Sequence, residues 1–122
     1  MAWQDLNKKL RIISEIRKID HVVITVKNLN KTINFYTNIL GMKLEEFSSS
    51  LDNDQIRYAV SFGSQKINIH EEKKPIKPNA LNPSLGSMDI CFISINKIND
   101  WVHHLVKKEL ILKLDLRKKL ML

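Results

Sequence analysis

The fold of this chain is decided by the sequence IDHVVITV at residues 19–26 and by the helical pattern that follows it. Because this stretch is rich in β-branched apolar residues, it predicts a buried strand. A helix is predicted at residues 29–40, where Ile33, Tyr36 and Leu40 recur at three- and four-residue spacing and form one apolar face. The sequence therefore predicts a strand, a short turn and an amphipathic helix.

Short polar residues and a glycine mark the two ends of this helix. Asn28 and Asn30 have side-chain oxygens that accept hydrogen bonds from the first free amides of a helix. Gly41 follows the last apolar residue, and glycine tolerates the left-handed conformation in which many helices end. His21 lies at the start of the preceding strand, and as a polar, titratable residue it is the first candidate for chemistry.

The rest of the chain divides at a proline-rich stretch. Before it, three further strands are predicted at residues 42–48, 56–62 and 65–71. Residues 73–86 contain all three prolines and are predicted to form a linker. After the linker, the apolar run at 88–94 predicts another buried strand, and a helical face follows at Ile98, Trp101, Val102 and Leu105. The second half therefore begins as the first half did.

These features resemble the vicinal oxygen chelate superfamily, which includes glyoxalase I, bleomycin-resistance proteins, extradiol dioxygenases and fosfomycin-resistance enzymes. The resemblance rests on a strand that begins at His21 and on a helix that contains Phe35 and Tyr36 and ends at Leu40 and Gly41. It implies an α+β fold built from glyoxalase-like βαβββ modules, one complete and one partial. The implied organisation is a leader helix at 1–18 and one domain at 19–122, with a first module at 19–72, a linker at 73–86 and a partial second module at 87–122.

The family pattern stops near Lys108. Residues 109–122 contain no glycine, proline or aromatic residue, whereas the resemblance implies more strands there, the last with a metal-binding Glu. The alternating leucines fit a single amphipathic strand, and a continued helix fits them as well. The expectation is a C-terminally truncated second module, arising from a genuine truncation or from a frameshift or splice boundary.

The resemblance also implies a divalent-metal site whose ligands come from the first and last strands of each module. His21 matches the first ligand position. Asn68 and His70 share one face of the fourth strand, and His70 is the preferred site residue of the two. Asp89 stands where the second module of the family usually has a His. The predicted ligands are therefore His21, His70 and Asp89, for Zn, Ni, Fe or Mn.

Two classes of function follow from the resemblance. One is a divalent-metal-dependent lyase, isomerase or dioxygenase-type enzyme that acts on a small molecule, with the metal as Lewis acid. The alternative is a metal-free dimer that binds a small-molecule ligand, as bleomycin-resistance proteins do, or an inactive truncated product. Asp89 and the missing Glu favour the alternative.

Composition narrows the class of partners and the compartment. The net charge is +7, but its lysines are spread along the chain without an aromatic-interleaved basic motif, so no nucleic-acid partner is expected. No apolar run reaches about 18 residues, so no membrane span is expected. The single cysteine, Cys91, is predicted to be buried and fits a reducing, cytoplasmic location. A mitochondrial presequence is the alternative for the leader, and Asp5 and Glu15 weigh against it.

The predicted assembly is a homodimer, because an incomplete second module leaves a sheet edge and an apolar face uncovered. His103 and His104 are adjacent on the second helix and point about 100 degrees apart, so they are expected to be surface residues.

Overall fold

The computed structural model describes residues 15–48 and 55–108, so most of the leader helix predicted at 1–18 lies outside the described residues, as does the segment 109–122. The elements in chain order are β1 (His21–Val26), α1 (Leu29–Asn34), a π-helical turn (Phe35–Ile39), β2 (Lys43–Ser48), β3 (Ile56–Phe62), β4 (Gln65–Glu71) and α2 (Ile98–Lys107). The βαβββ order predicted for the first half is confirmed.

The four strands form one sheet in the order β1-β4-β3-β2. β1 pairs in parallel with β4, whereas β3 pairs antiparallel with both β4 and β2. A parallel pair needs a crossover connection, because a tight hairpin joins only antiparallel strands. The chain between β1 and β4 includes α1, which packs against one face of the sheet.

The core lies between α1 and that face of the sheet. Ile24, Val60, Ile67 and Ile69 form its buried centre, and the helix contributes Leu29, Ile33 and Tyr36 around it. Ile24 is paired with Ile69, and Val60 with Ile67, so the four side chains lie on the same face. An apolar helix stripe on an apolar sheet face is the layered arrangement that confirms the α+β class.

Both predicted helix-end signals of α1 are confirmed. The side chain of Asn28 accepts a hydrogen bond from the Lys31 amide at 2.9 Å, as an N-cap residue does. After the π-helical turn, Gly41 has a φ of 75°, which most L residues avoid. The chain therefore leaves the helix at Gly41 and enters β2.

Residues 88–94 do not form the predicted strand. They have no strand partner among the described residues and no regular secondary structure. A strand exists only when its backbone pairs with another, and β1 has β4 for this purpose whereas 88–94 has no equivalent in the described part of the chain. The prediction that Cys91 is buried is also wrong, since this residue is exposed.

α2 is confirmed as a helix, and polar contacts hold it against the π-helical turn that follows α1. His104 Nε2–H donates to the Ile39 carbonyl at 2.7 Å, and Lys108 Nζ donates to Asn38 Oδ1 at 3.2 Å. His104 is consequently half-buried, which corrects the prediction of a surface residue, while His103 is exposed as predicted. No helix in the described ranges is long and apolar enough to cross a membrane.

Candidate functional site on the polar face of the sheet

The face of the sheet opposite α1 contains most of the polar strand residues, and we call it the polar face. The register of β1 and β4 pairs His21 with Lys66, Val23 with Asn68 and Thr25 with His70. Paired residues of neighbouring strands point to the same side, so these side chains share one surface. The polar face is therefore defined by His21, Val23, Thr25, Lys66, Asn68 and His70, and from β3 by Arg57, Ala59 and Ser61.

His21 lies at the end of the polar face where β1 begins, and its neighbour Asp20 holds its ring. Nδ1–H of His21 donates to Asp20 Oδ1 at 2.8 Å, and this hydrogen bond lowers the pKa of the Asp20 carboxyl below its usual range. A proton fixed on Nδ1 leaves the lone pair on Nε2 free to accept a hydrogen bond or bind a cation. The same carboxylate–histidine pairing orients many metal-binding histidines. Sequence reasoning did not find this role for Asp20, although its adjacency to His21 was the available signal.

Asn68 has a buried oxygen that lacks a partner. Its Oδ1 atom accepts no hydrogen bond from any described residue. A buried acceptor without a partner is unfavourable by about 1–3 kcal/mol, so it marks a place where a donor or a cation would be stabilised. Asn68 pairs with Val23, which lies two residues along β1 from His21, so the two polar side chains are near neighbours on the polar face.

His70 lies farther along β4 in a closed environment. It is 8% exposed and lines a small cavity of about 30 Å³ with Thr25, Glu72 and Pro83. Burial, with a smaller contribution from the charge of Arg57, lowers the pKa of His70 below its ordinary value. The imidazole is therefore neutral at neutral pH.

The structure does not bring the three predicted metal ligands together. His70 is opposite Thr25, four residues along β1 from His21, which corresponds to about 13 Å at roughly 3.3 Å per residue. Asp89 lies on the exposed segment after the linker. Metal–ligand distances are only about 2.0–2.6 Å, and no three His, Cys, Asp or Glu residues in the described ranges are placed to share an ion.

Comparison with known sequences identifies the class of protein. Residues 18–110 match the Glyoxalase/Bleomycin resistance protein/Dioxygenase superfamily. This match covers most of the chain and includes every strand and helix described above. The chain therefore belongs to this superfamily, as the resemblance in its sequence implied.

Three relatives show how the chain compares with individual members. It is 46% identical over 103 residues to the glyoxalase domain-containing protein RDO1 of Mycosarcoma maydis, which covers 84% of this chain and 53% of that protein. It is 40% identical over 92 residues to the virulence protein STM3117 of Salmonella typhimurium, covering 75% of this chain and 60% of that protein. The chain therefore spans just over half the length of these curated relatives. A solved integron cassette protein from the mobile metagenome of V. cholerae has a similar fold, with a TM-score of 0.70 at 36% identity over 80% of this chain and 72% of that chain.

Proposed function

We propose that this chain is a vicinal oxygen chelate domain that binds a small polar molecule on the polar face, with His21 and Asn68 as its central contacts. Within the superfamily we place it near glyoxalase domain-containing protein 5. The observation that supports the site most strongly is the buried Oδ1 of Asn68, which has no hydrogen-bond donor among the described residues. Beside it, Nε2 of His21 presents a second acceptor.

The chemistry of the polar face favours a hydroxylated anion as ligand. The two acceptors of His21 and Asn68 suit hydroxyl groups that donate hydrogen bonds. Lys66 is opposite His21 and its ammonium lies 5.2 Å from the centre of the Phe47 ring, so a positive charge is held on the same surface. A small hydroxy acid combines the required hydroxyl donors with a negative charge.

A divalent metal fits the described residues only in part. His21 and Asn68 supply two neutral donors, whereas protein metal sites generally use three or more ligands, often with a carboxylate among them. We therefore expect weak binding of Zn, Ni, Fe or Mn by these residues alone, and we assign no catalytic step to a metal.

A second candidate function is a metal-dependent enzyme in a homodimer, whose remaining ligands come from a second copy or from outside the described residues. The Asp20–His21 hydrogen bond favours this candidate, because such a pair orients a ligating imidazole and fixes its tautomer. A metal bound there would supply Lewis-acid chemistry.

Calorimetric titration of the full chain separates the two functions. The native chain is titrated with Zn²⁺ and Mn²⁺ and with a series of small 2-hydroxy acids, beside His21→Ala, Asn68→Ala and the control His103→Ala, which alters an exposed helix residue. The first proposal predicts metal dissociation constants above about 10 μM and hydroxy-acid binding that is lost in the His21 and Asn68 variants only. Tight binding of one ion that His21→Ala abolishes would overturn it in favour of the second.

A further inference from the structure

The polar face continues onto β2, the strand at the edge of the sheet. The register pairs Glu45 of β2 with Ala59 of β3, and Ala59 with Asn68 of β4. Phe47 lies two residues after Glu45, and Lys66 lies two residues before Asn68. Since β2 and β4 are both antiparallel to β3, they run in the same direction, and alternation places all five side chains on the polar face. Phe47 and Lys66 therefore lie diagonally opposite each other, with Ala59 between them.

The side chains of Phe47 and Lys66 meet across Ala59. The ammonium of Lys66 lies 5.2 Å from the centre of the Phe47 ring. Two strand spacings and four residues along the strands separate the two backbones by about 16 Å, so both side chains must extend over the centre of the face to make this contact. Ala59 is 0% exposed, although it lies on the face opposite α1. The contact therefore lies over the part of the polar face where Ala59 and the Asn68 amide are neighbours.

The positive charge of Lys66 is available to a ligand. No carboxylate in the described ranges lies within ion-pair distance of its ammonium. The charge of Lys66 contributes to the lowered pKa of Asp20, but that carboxylate is hydrogen-bonded to His21. Attraction to an aromatic ring at a partly exposed site is weak compared with a hydrogen-bonded ion pair, so an incoming anion can draw the ammonium away from Phe47.

We propose that Lys66 determines the specificity of the polar face: it covers the Asn68 amide in the free protein and moves onto the carboxylate of the ligand on binding. This inference rests on the ligand site proposed above and names the residue that makes it specific for anions. When Lys66 moves, the buried Oδ1 of Asn68, which has no donor among the described residues, accepts a hydrogen bond from the hydroxyl group of the ligand. A neutral ligand offers the ammonium no new partner, so it must displace Lys66 from the Phe47 ring without compensation.

A lysine that covers Asn68 differs in its effects from a lysine that only attracts anions. If Lys66 only attracts anions, its truncation weakens the binding of acids and leaves the binding of neutral analogues unchanged. If Lys66 also covers Asn68, truncation still weakens the binding of acids, but it strengthens the binding of neutral analogues because the amide is uncovered. The direction of the change for the neutral analogue therefore separates the two roles.

Calorimetry of the full chain measures this direction. The ligands are two 2-hydroxy acids, glycolate and lactate, and their uncharged amides, glycolamide and lactamide. The native chain is expected to bind the acids at least about tenfold more tightly than the amides. Lys66→Ala is expected to weaken acid binding about tenfold and to strengthen amide binding about two- to fivefold. Phe47→Leu releases the ammonium without removing it and is expected to strengthen the binding of both about two- to fivefold.

The matched control is Lys43→Ala, which removes an exposed lysine on the same face, opposite Ser61. It is expected to leave amide binding unchanged and to alter acid binding by less than about twofold. Equal binding of acids and amides by the native chain, lost in Asn68→Ala, would overturn the role of Lys66 and leave the ligand site in place. Weaker or unchanged amide binding in Lys66→Ala would overturn the covering of Asn68. Binding of none of the four compounds by the native chain would overturn the ligand site itself.

Thiol labelling tests the covering of residue 68 without any ligand. In a Cys91→Ser background, Asn68→Cys places a single thiol at the covered position, and iodoacetamide alkylates it as the thiolate sulfur displaces iodide. Adding Phe47→Leu keeps the lysine charge that affects the thiolate and is expected to raise the labelling rate about two- to fivefold, because Lys66 is no longer held over residue 68. Lys43→Ala is expected to leave the rate unchanged. An equal rate with and without Phe47→Leu would overturn the covering by Lys66, whatever the calorimetry shows for the ligand site.

Discussion

Residues 21–39 and residues 90–107 have the same local pattern, an apolar run followed by an amphipathic helix, yet only the first run is a strand. β1 is hydrogen-bonded along its length to β4, and its Ile24 is 8% exposed. In residues 88–94, Ile93 is completely exposed and the backbone has no strand partner among the described residues. The difference shows that a β-branched apolar run favours an extended conformation, whereas a strand forms only when a partner strand is available for hydrogen bonding.

The two helices differ in a related way. α1 begins with a side-chain cap from Asn28, whereas the residue before α2 is Lys97, whose side chain makes no capping hydrogen bond. None of the residues of α2 is fully buried, and its His104 is hydrogen-bonded to Ile39 in the π-helical turn.

The largest expected effect comes from truncating the same residue type in the two regions. Ile67→Ala removes a side chain that is 1% exposed and should lower the free energy of unfolding by about 2–5 kcal/mol. Ile93→Ala should change it by less than about 0.5 kcal/mol at a concentration where the chain is monomeric. Urea denaturation of both variants measures the contrast. Equal decreases in the free energy of unfolding would show that Ile93 is packed in solution and would contradict the difference between the two regions.

Exchanging the helix caps should have a smaller effect. Asn28→Ala removes the hydrogen bond to the Lys31 amide and should cost about 1 kcal/mol of stability. Lys97→Asn introduces a capping side chain at the start of α2 and should stabilise that helix by about 0.5–1 kcal/mol. Amide hydrogen exchange, which reports each helix separately, is the measurement. Unchanged exchange in α2 of the Lys97 variant would contradict the second half of this prediction.

Removing the hydrogen bond between α2 and the π-helical turn should lower the free energy of unfolding by a similar or slightly smaller amount. His104→Ala breaks the 2.7 Å hydrogen bond to the Ile39 carbonyl and should lower the free energy of unfolding by about 0.5–1.5 kcal/mol. His103→Ala changes the adjacent exposed residue and is the matched control. If thermal or urea denaturation affects both variants alike, the contact does not hold α2 in place.

The smallest expected effect is a pH dependence that arises from His70. Burial lowers its pKa in the folded chain, so the unfolded chain takes up a proton first as the pH falls below about 6.5. Above that pH, His70 is neutral in both the folded and the unfolded chain and does not affect stability. The free energy of unfolding decreases as the pH falls from about 6.5 toward the pKa of the folded state. His70→Asn should reduce the difference in urea midpoint between about pH 7.5 and about pH 5.5, whereas His103→Asn should not. A native chain with equal midpoints at both pH values would contradict the buried, neutral state.

Local patterns predicted most of the first half and less of the second. The strand–helix–three-strand order, the Asn28 cap and the stop at Gly41 depend on neighbours within a few residues, and the structure confirms all of them. The same kind of pattern gave a wrong strand at 88–94, because no local signal states whether a pairing partner exists. His104 was likewise misjudged, since its acceptor, the Ile39 carbonyl, lies 65 residues away in the sequence.

For the candidate site too, the sequence determined some features and the tertiary structure determined the others. The sequence by itself determined the α+β class, the superfamily and the position of His21 at the start of a strand, because residue type and spacing encode these directly. Only the tertiary structure decided which polar residues are neighbours. The register of β1 and β4 separates His70 from His21 and places Asn68 nearer, with a buried oxygen left without a donor. Register is fixed by contacts between distant segments, and a shift of one residue would turn each of these side chains to the other face.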